Sequence, residues 1–198
     1  MEKRGFKESP QLVESRTIEG YAIVFGQESR VMYDFEKRSV FIEIIEKGAV
    51  SEELLRKCDV KALINHDSSK LLARSDNGEG TLMLSVDEHG VKYRFDAPNT
   101  NDGDWIVEMV KRGDIKGSSF AFTRDINKDA DWDFSEKIPR CRVKNIRKIY
   151  DVGPVTDPAY LGTDVKARSL QELGLDEGNE PSWKDQLEQQ KEQFKKYL

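Results

Sequence analysis

Thr81-Leu82-Met83-Leu84-Ser85-Val86 and Val91-Lys92-Tyr93-Arg94-Phe95-Asp96 flank the tetrapeptide Asp87-Glu88-His89-Gly90. This is the clearest hairpin in the chain, because the connecting residues have the chemistry of a tight turn. Side chains alternate along a strand. In the second arm Val91, Tyr93 and Phe95 therefore share one face, and Lys92, Arg94 and Asp96 the other. His89 falls in the turn and reads as a solvated histidine.

Strands continue on both sides of the hairpin. Upstream, Ile18 to Gly26 reads as a strand ended by glycine, Gln27 to Lys37 as a polar loop and Val40 to Ile45 as a second strand. A short helix is predicted over residues 51–58. Ser51 can cap it, Glu52 and Glu53 suit the positive end of its dipole, and Val50 and Leu55 are spaced as a hydrophobic staple. The run Val60-Lys61-Ala62-Leu63-Ile64-Asn65-His66-Asp67 then reads as a strand that delivers His66 to a turn.

Downstream, a helix is expected from about Asp104 to Arg112, with Ile106, Met109 and Val110 as its apolar stripe and Gly113 as its C-terminal cap. Ile115 to Thr123 and Cys141 to Val152 read as strands, with Trp132-Asp133-Phe134 in an acidic loop between them. Many short strands with two short helices among them favour a mixed, mainly β barrel over a parallel α/β sheet.

The composition divides the chain into a polar, loosely held segment over residues 1–16, one domain over 17–169 and a tail over 170–198. The tail is a polar linker followed by an amphipathic helix whose stripe is Trp183, Leu187, Gln190, Phe194 and Tyr197. With 198 residues, 37% hydrophobic and 35% charged, there is material for one modest core. A net charge of −5 argues against a nucleic-acid partner. No apolar run approaches membrane-spanning length, and the charged N-terminus is followed by no apolar signal segment. Cys58 and Cys141 read as reduced core thiols of a cytosolic protein and form no metal cluster.

Chemistry enters at Gly117-Ser118-Ser119-Phe120-Ala121-Phe122. On a strand, Ser118 shares a face with the two phenylalanines, which belong in the core, so Ser119 faces outward within reach of a substrate. A serine hydroxyl needs a base to become a nucleophile, and histidine is the usual one. His66 is better placed for this than His89. A base of this kind works best when an acid orients it, and Asp67, Asp151 and Asp157 all qualify by residue type.

Five segments in order resemble the prohead protease family of tailed phages, the serine proteases that trim capsid proteins during head maturation. They are Gly20 to Phe25, Phe41 to Val50, Ala62 to Asp67, Gly113 to Phe122 and Tyr150 to Tyr160. The resemblance implies His66 as general base, Ser119 as nucleophile and Asp151, where the family usually has Glu, as the residue that orients His66. Lys47 and Gly153 depart from the family's usual Pro and Ser. The family is similar to the herpesvirus assembly proteases. The implied fold is thus α+β but mainly β: a closed or partly open antiparallel β-barrel with a few short helices around it. The resemblance also implies no metal or organic cofactor, and backbone amides of the Val152 to Ala159 segment as oxyanion donors. As partners it implies the major capsid protein with its scaffolding segment and self-association, with no nucleic acid and no membrane. The implied place of action is the host cytoplasm, inside the assembling prohead, and the protease itself is a second substrate. A non-catalytic capsid assembly or scaffolding protein on the same barrel is the alternative.

Overall fold

The computed structural model describes residues 1–6, 9–13, 15–34, 38–125 and 127–159. The linker and helix expected over 170–198 lie outside them. In chain order the elements are β1 (Glu2–Phe6), β2 (Gln11–Leu12), β3 (Thr17–Val24), β4 (Met32–Asp34), β5 (Ser39–Ile45), α1 (Glu52–Lys57), β6 (Asp59–Leu63), β7 (Leu71–Asp76), β8 (Glu79–Gly80), β9 (Leu82–Val86), β10 (Gly90–Asp96), α2 (Asn101–Arg112), β11 (Gly117–Thr123), β12 (Ala130–Asp133), β13 (Arg140–Val143) and β14 (Lys148–Val155).

The strands form three sheets: a six-stranded one ordered β1-β11-β14-β6-β7-β8, and two four-stranded ones ordered β2-β3-β10-β9 and β12-β13-β5-β4. The mainly β, α+β class is as expected. A closed antiparallel barrel is not, because among the described residues the ladder of the large sheet ends at β1 and β8. In addition, β13 runs parallel to β5 and β14 parallel to β6. No helix among the described residues is long and apolar enough to cross a membrane.

The hairpin over residues 81–96 forms as read, with Val91 opposite Val86 and Phe95 opposite Leu82. Asp87 Oδ1 accepts from the amides of His89 and Gly90 and so closes the turn. Ser51 Oγ caps α1 by accepting from Leu54 N. α2 starts at Asn101, three residues ahead of expectation, because Thr100 caps it through Gly103 N. Gly113 ends that helix in the left-handed region, at φ 74°.

Three expectations need correction. Residues 1–16, read as loosely held from their polar composition, contain β1 and β2. Backbone pairing, which composition does not report, ties β1 to β11 from Glu2 opposite Phe122 to Phe6 opposite Ser118. The acidic loop around Trp132 contains β12, and the single strand expected over 141–152 is split into β13 and β14. Between those two the amides of Lys144 and Asn145 turn to Asp129 O, and that of Ile146 to Ala49 O. Strand β7 was not anticipated at all.

One core cluster joins all three sheets, with Phe120 and Phe122 of β11, Tyr93 and Phe95 of β10, and Ile45 and Val143 of β5 and β13 among its members. Phe120 and Phe122 are stacked with centroids 5.1 Å apart. Both are fully buried, as are Tyr93, Phe95, Ile18 and Ile23. Each such side chain contributes roughly 2–3 kcal/mol of transfer free energy. At Gly20 of β3 a Cβ would stand 2.8 Å from Tyr93 Oη of the neighbouring β10 and 3.0 Å from Ser118 Oγ of β11, in the other sheet.

Candidate functional site

On β11 the alternation separates two adjacent serines. Ser118 points into the core and shares a hydrogen bond of 2.9 Å with Tyr93 Oη. Burial pushes the Tyr93 phenol well above its usual range, so it stays protonated there. Ser119 lies on the opposite face, opposite Gly153 of β14, while its neighbour Ala121 lies opposite Asp151. Facing residues of a ladder share a face, so Ser119 and Asp151 emerge on the same side of the sheet. That side is not open to solvent as expected, since Ser119 is 4% and Asp151 5% exposed.

His66 reaches this face from the end of β6. Asn65 and His66 are both left-handed, at φ 52° and 59°, and Asp67 N bonds to Ile64 O at 2.9 Å. The result is a tight turn with two positive-φ residues at its centre. Asparagine tolerates that conformation well and histidine less so. The turn is fastened to β14: Asn65 N donates to Pro154 O, and Asn65 Oδ1 accepts from Thr156 N at 2.9 Å and from Thr156 Oγ at 3.3 Å. Strained backbone held by its surroundings is characteristic of functional positions.

The structure brings three of the residues singled out in the sequence together. His66 Nε2 lies 2.6 Å from Ser119 Oγ, and His66 Nδ1 lies 2.5 Å from Asp151 Oδ1. The other acids are engaged elsewhere. Asp67 Oδ1 accepts from Ser69 N and Ser69 Oγ, which holds its carboxyl below the usual range. Asp157 pairs with Arg30 at the surface. His89 is edge-on to Tyr21, with ring centroids 4.7 Å apart, in the distant hairpin. Of the segment expected to supply oxyanion donors, Pro154 and Pro158 have no N–H, and Thr156 N is committed to Asn65. Among the described residues no three His, Cys, Asp or Glu side chains converge to hold a metal ion. Cys58 and Cys141 are buried and form no disulfide.

An orienting acid, an imidazole and a hydroxyl in one hydrogen-bonded line are the parts of nucleophilic acyl transfer. A family model described as caudovirus prohead serine protease matches residues 6–175. The chain belongs to that family. It is accordingly a serine protease. No curated protein and no solved structure matches it. The matched span of this prohead protease begins at residue 6 and so leaves most of β1 outside it.

That outlying strand carries what the sequence reading missed. Ser119 Oγ is in short hydrogen-bonding contact with Arg4 O of β1. The hydroxyl has one hydrogen, and both Arg4 O and His66 Nε2 stand ready to accept it. The Arg4 side chain continues to Glu43 of β5, with Nε 2.6 Å from Oε1. Glu43 is fully buried and is also met by Arg124 Nη2, 3.0 Å from Oε2. No motif announces these residues. The one available signal was a glutamate, Glu43, within the otherwise apolar run Val40 to Ile45.

Proposed function

We propose that this prohead protease cuts the scaffolding segment of the major capsid protein, and its own chain, inside the assembling prohead, and that His66, Ser119 and Asp151 are its catalytic residues. The observation that carries the reading is the continuous line from Asp151 Oδ1 through both His66 nitrogens to Ser119 Oγ, at 2.5 and 2.6 Å.

In this reading Ser119 Oγ attacks a peptide carbonyl while His66 Nε2 takes its proton. Asp151 accepts from Nδ1–H, keeps Nε2 free to act as base and stabilises the imidazolium that forms. The C–N bond breaks as His66 returns the proton to the leaving amine. Water, activated by His66 in the same way, then hydrolyses the Ser119 ester. Each step is acid–base and covalent chemistry of these side chains and asks for no metal or organic cofactor.

Co-expression with the capsid protein tests the proposal, with wild type compared with Ser119→Ala and both proteins read by intact mass. Shortening of the capsid protein by the wild type alone is the expected result. Equal processing by a folded Ser119→Ala variant removes Ser119 from the mechanism. Processing by neither removes the capsid protein as the substrate.

A further inference from the structure

β1 is the edge strand of the large sheet, and without it the edge of β11 would be open. An open edge is a ready site for an added peptide strand, which gains affinity from main-chain hydrogen bonds and specificity from its side chains. β1 adds there antiparallel, with Gly5 opposite Ser119 and Arg4 opposite Phe120. Its Arg4 carbonyl is the one in contact with Ser119 Oγ. The Arg4–Gly5 peptide bond thus lies across the hydroxyl proposed as nucleophile, with Arg4 on the acyl side.

The side chain on that acyl side enters a charged site. Arg4 is only 12% exposed, with its guanidinium on the fully buried Glu43 carboxylate and 5.9 Å above the Phe122 ring. Arg124 meets Oε2 of the same carboxylate, and Arg4 Nε meets Oε1. A buried carboxylate engaged by a base from the added strand is a strong discriminator. An apolar side chain would forfeit the 2.6 Å contact to Oε1, and an acidic one would repel the carboxylate. Most of β1 precedes the span matched by the family, whereas Glu43, Phe122 and Ser119 lie within it.

We propose that the outer edge of β11 is the docking site for the polypeptide to be cut, that Glu43 selects arginine or lysine on the acyl side of the scissile bond, and that residues 2–6 occupy this site in the free protein. The site's role in cleavage rests on Ser119 being the nucleophile. In that step the Ser119 Oγ–C bond forms at the basic residue's carbonyl, the C–N bond breaks, the proton passes through His66 to the new amine, and water resolves the ester.

Binding and cleavage are measured separately on the full chain. The probe is a fluorescent eight-residue peptide with the sequence of residues 1–8, together with versions carrying Lys, Leu or Glu in place of Arg4. Binding is read by anisotropy on Ser119→Ala and on Ser119→Ala with Arg4→Ala, whose folding is checked by thermal melting. The Arg and Lys peptides should bind at least tenfold more tightly than the Leu and Glu peptides, and all the more so once Arg4→Ala weakens the resident strand. Equal binding of all four overturns the proposal. Glu43→Gln, if its melt shows it folded, should level the preference, and a preference that survives it also overturns the assignment. Cleavage is read on Arg4→Ala with Ser119 intact. Cutting after basic residues supports the site, and Ser119-dependent cutting without that preference overturns it. Selective binding without any cutting keeps the site and removes the nucleophile assignment instead.

Discussion

Asp151 Oδ1 lies 2.5 Å from His66 Nδ1 and reaches it from β14, the strand lying between β11, which carries Ser119, and β6, which leads to His66. The acid therefore sits between the other two elements, and one sheet sets all three positions. Asp151→Asn keeps the shape but offers His66 Nδ1 an amide, which favours the wrong tautomer. Cleavage should fall by about 10³–10⁴-fold with the melting temperature little changed. Single-turnover cleavage beside a thermal melt checks this, and a loss below tenfold would remove Asp151 from the orienting role.

Ser118 and Ser119 are neighbours with separable duties. Ser118→Ala removes the 2.9 Å contact to the buried Tyr93 hydroxyl and should cost about 1–3 kcal/mol of stability. Cleavage per folded molecule should be unchanged, because Ser118 faces the core. Urea unfolding together with an active-fraction-corrected rate separates the two effects.

Much of this division was legible in the sequence, because alternation against Phe120 and Phe122 assigns the two faces of β11. The caps at Ser51 and Gly113 were legible for a similar reason, each being a local interaction within one turn. The third member of the site was not legible from spacing. Asp67 is adjacent to His66 in sequence yet bonds to Ser69, whereas Asp151 is distant in sequence and arrives through the parallel pairing of β14 with β6. Edge pairing was equally hidden. The polar composition of residues 2–6 reads as loose chain, and only the open edge of β11 makes a strand of it.

Asn65 holds the turn that presents His66. Asn65→Ala loses both contacts to Thr156 and places a less tolerant residue at φ 52°. A loss of about 1–3 kcal/mol is expected, with cleavage down more than tenfold as His66 drifts from Ser119. Asn65→Gly keeps the backbone freedom and should lose less stability than Asn65→Ala. Denaturant melts of the two variants, with cleavage rates, would show the ordering.

Gly153 stands where the resembled family usually has serine, and here it cannot be replaced cheaply. Its φ is 148°, and a Cβ would sit 2.3 Å from Leu63 O. Gly153→Ser would push β6 away from β14, and with it the turn that carries His66. Backbone strain alone is worth about 1–3 kcal/mol, so the total loss should exceed 2 kcal/mol on the same scale, with cleavage largely abolished. A melt within 2 °C of wild type, on the scale where 1 kcal/mol shifts the midpoint by about 2–4 °C, would show that β6 has a way to yield.

Asp59 anchors the start of β6 and gives the fold an acid-sensitive pin. Its carboxylate meets Arg74 Nε at 2.6 Å, Arg74 Nη2 at 2.9 Å and Lys61 Nζ at 2.8 Å. The Arg74 hydrogen bonds foremost, then that of Lys61, lower its pKa to about 2. The unfolded value is about 3.9. The folded value is the depressed one, so the pair's contribution is present in full above about pH 4 and is lost as pH falls toward 2. The side chain is about a third exposed, so after solvent screening the contribution should stay below roughly 1 kcal/mol. Asp59→Asn should therefore be slightly less stable than wild type at pH 7, and the two should converge as pH drops from 4 to 2. Urea unfolding across that range measures the difference, and a gap that widens toward low pH would mean that the Asp59 pair is not its source.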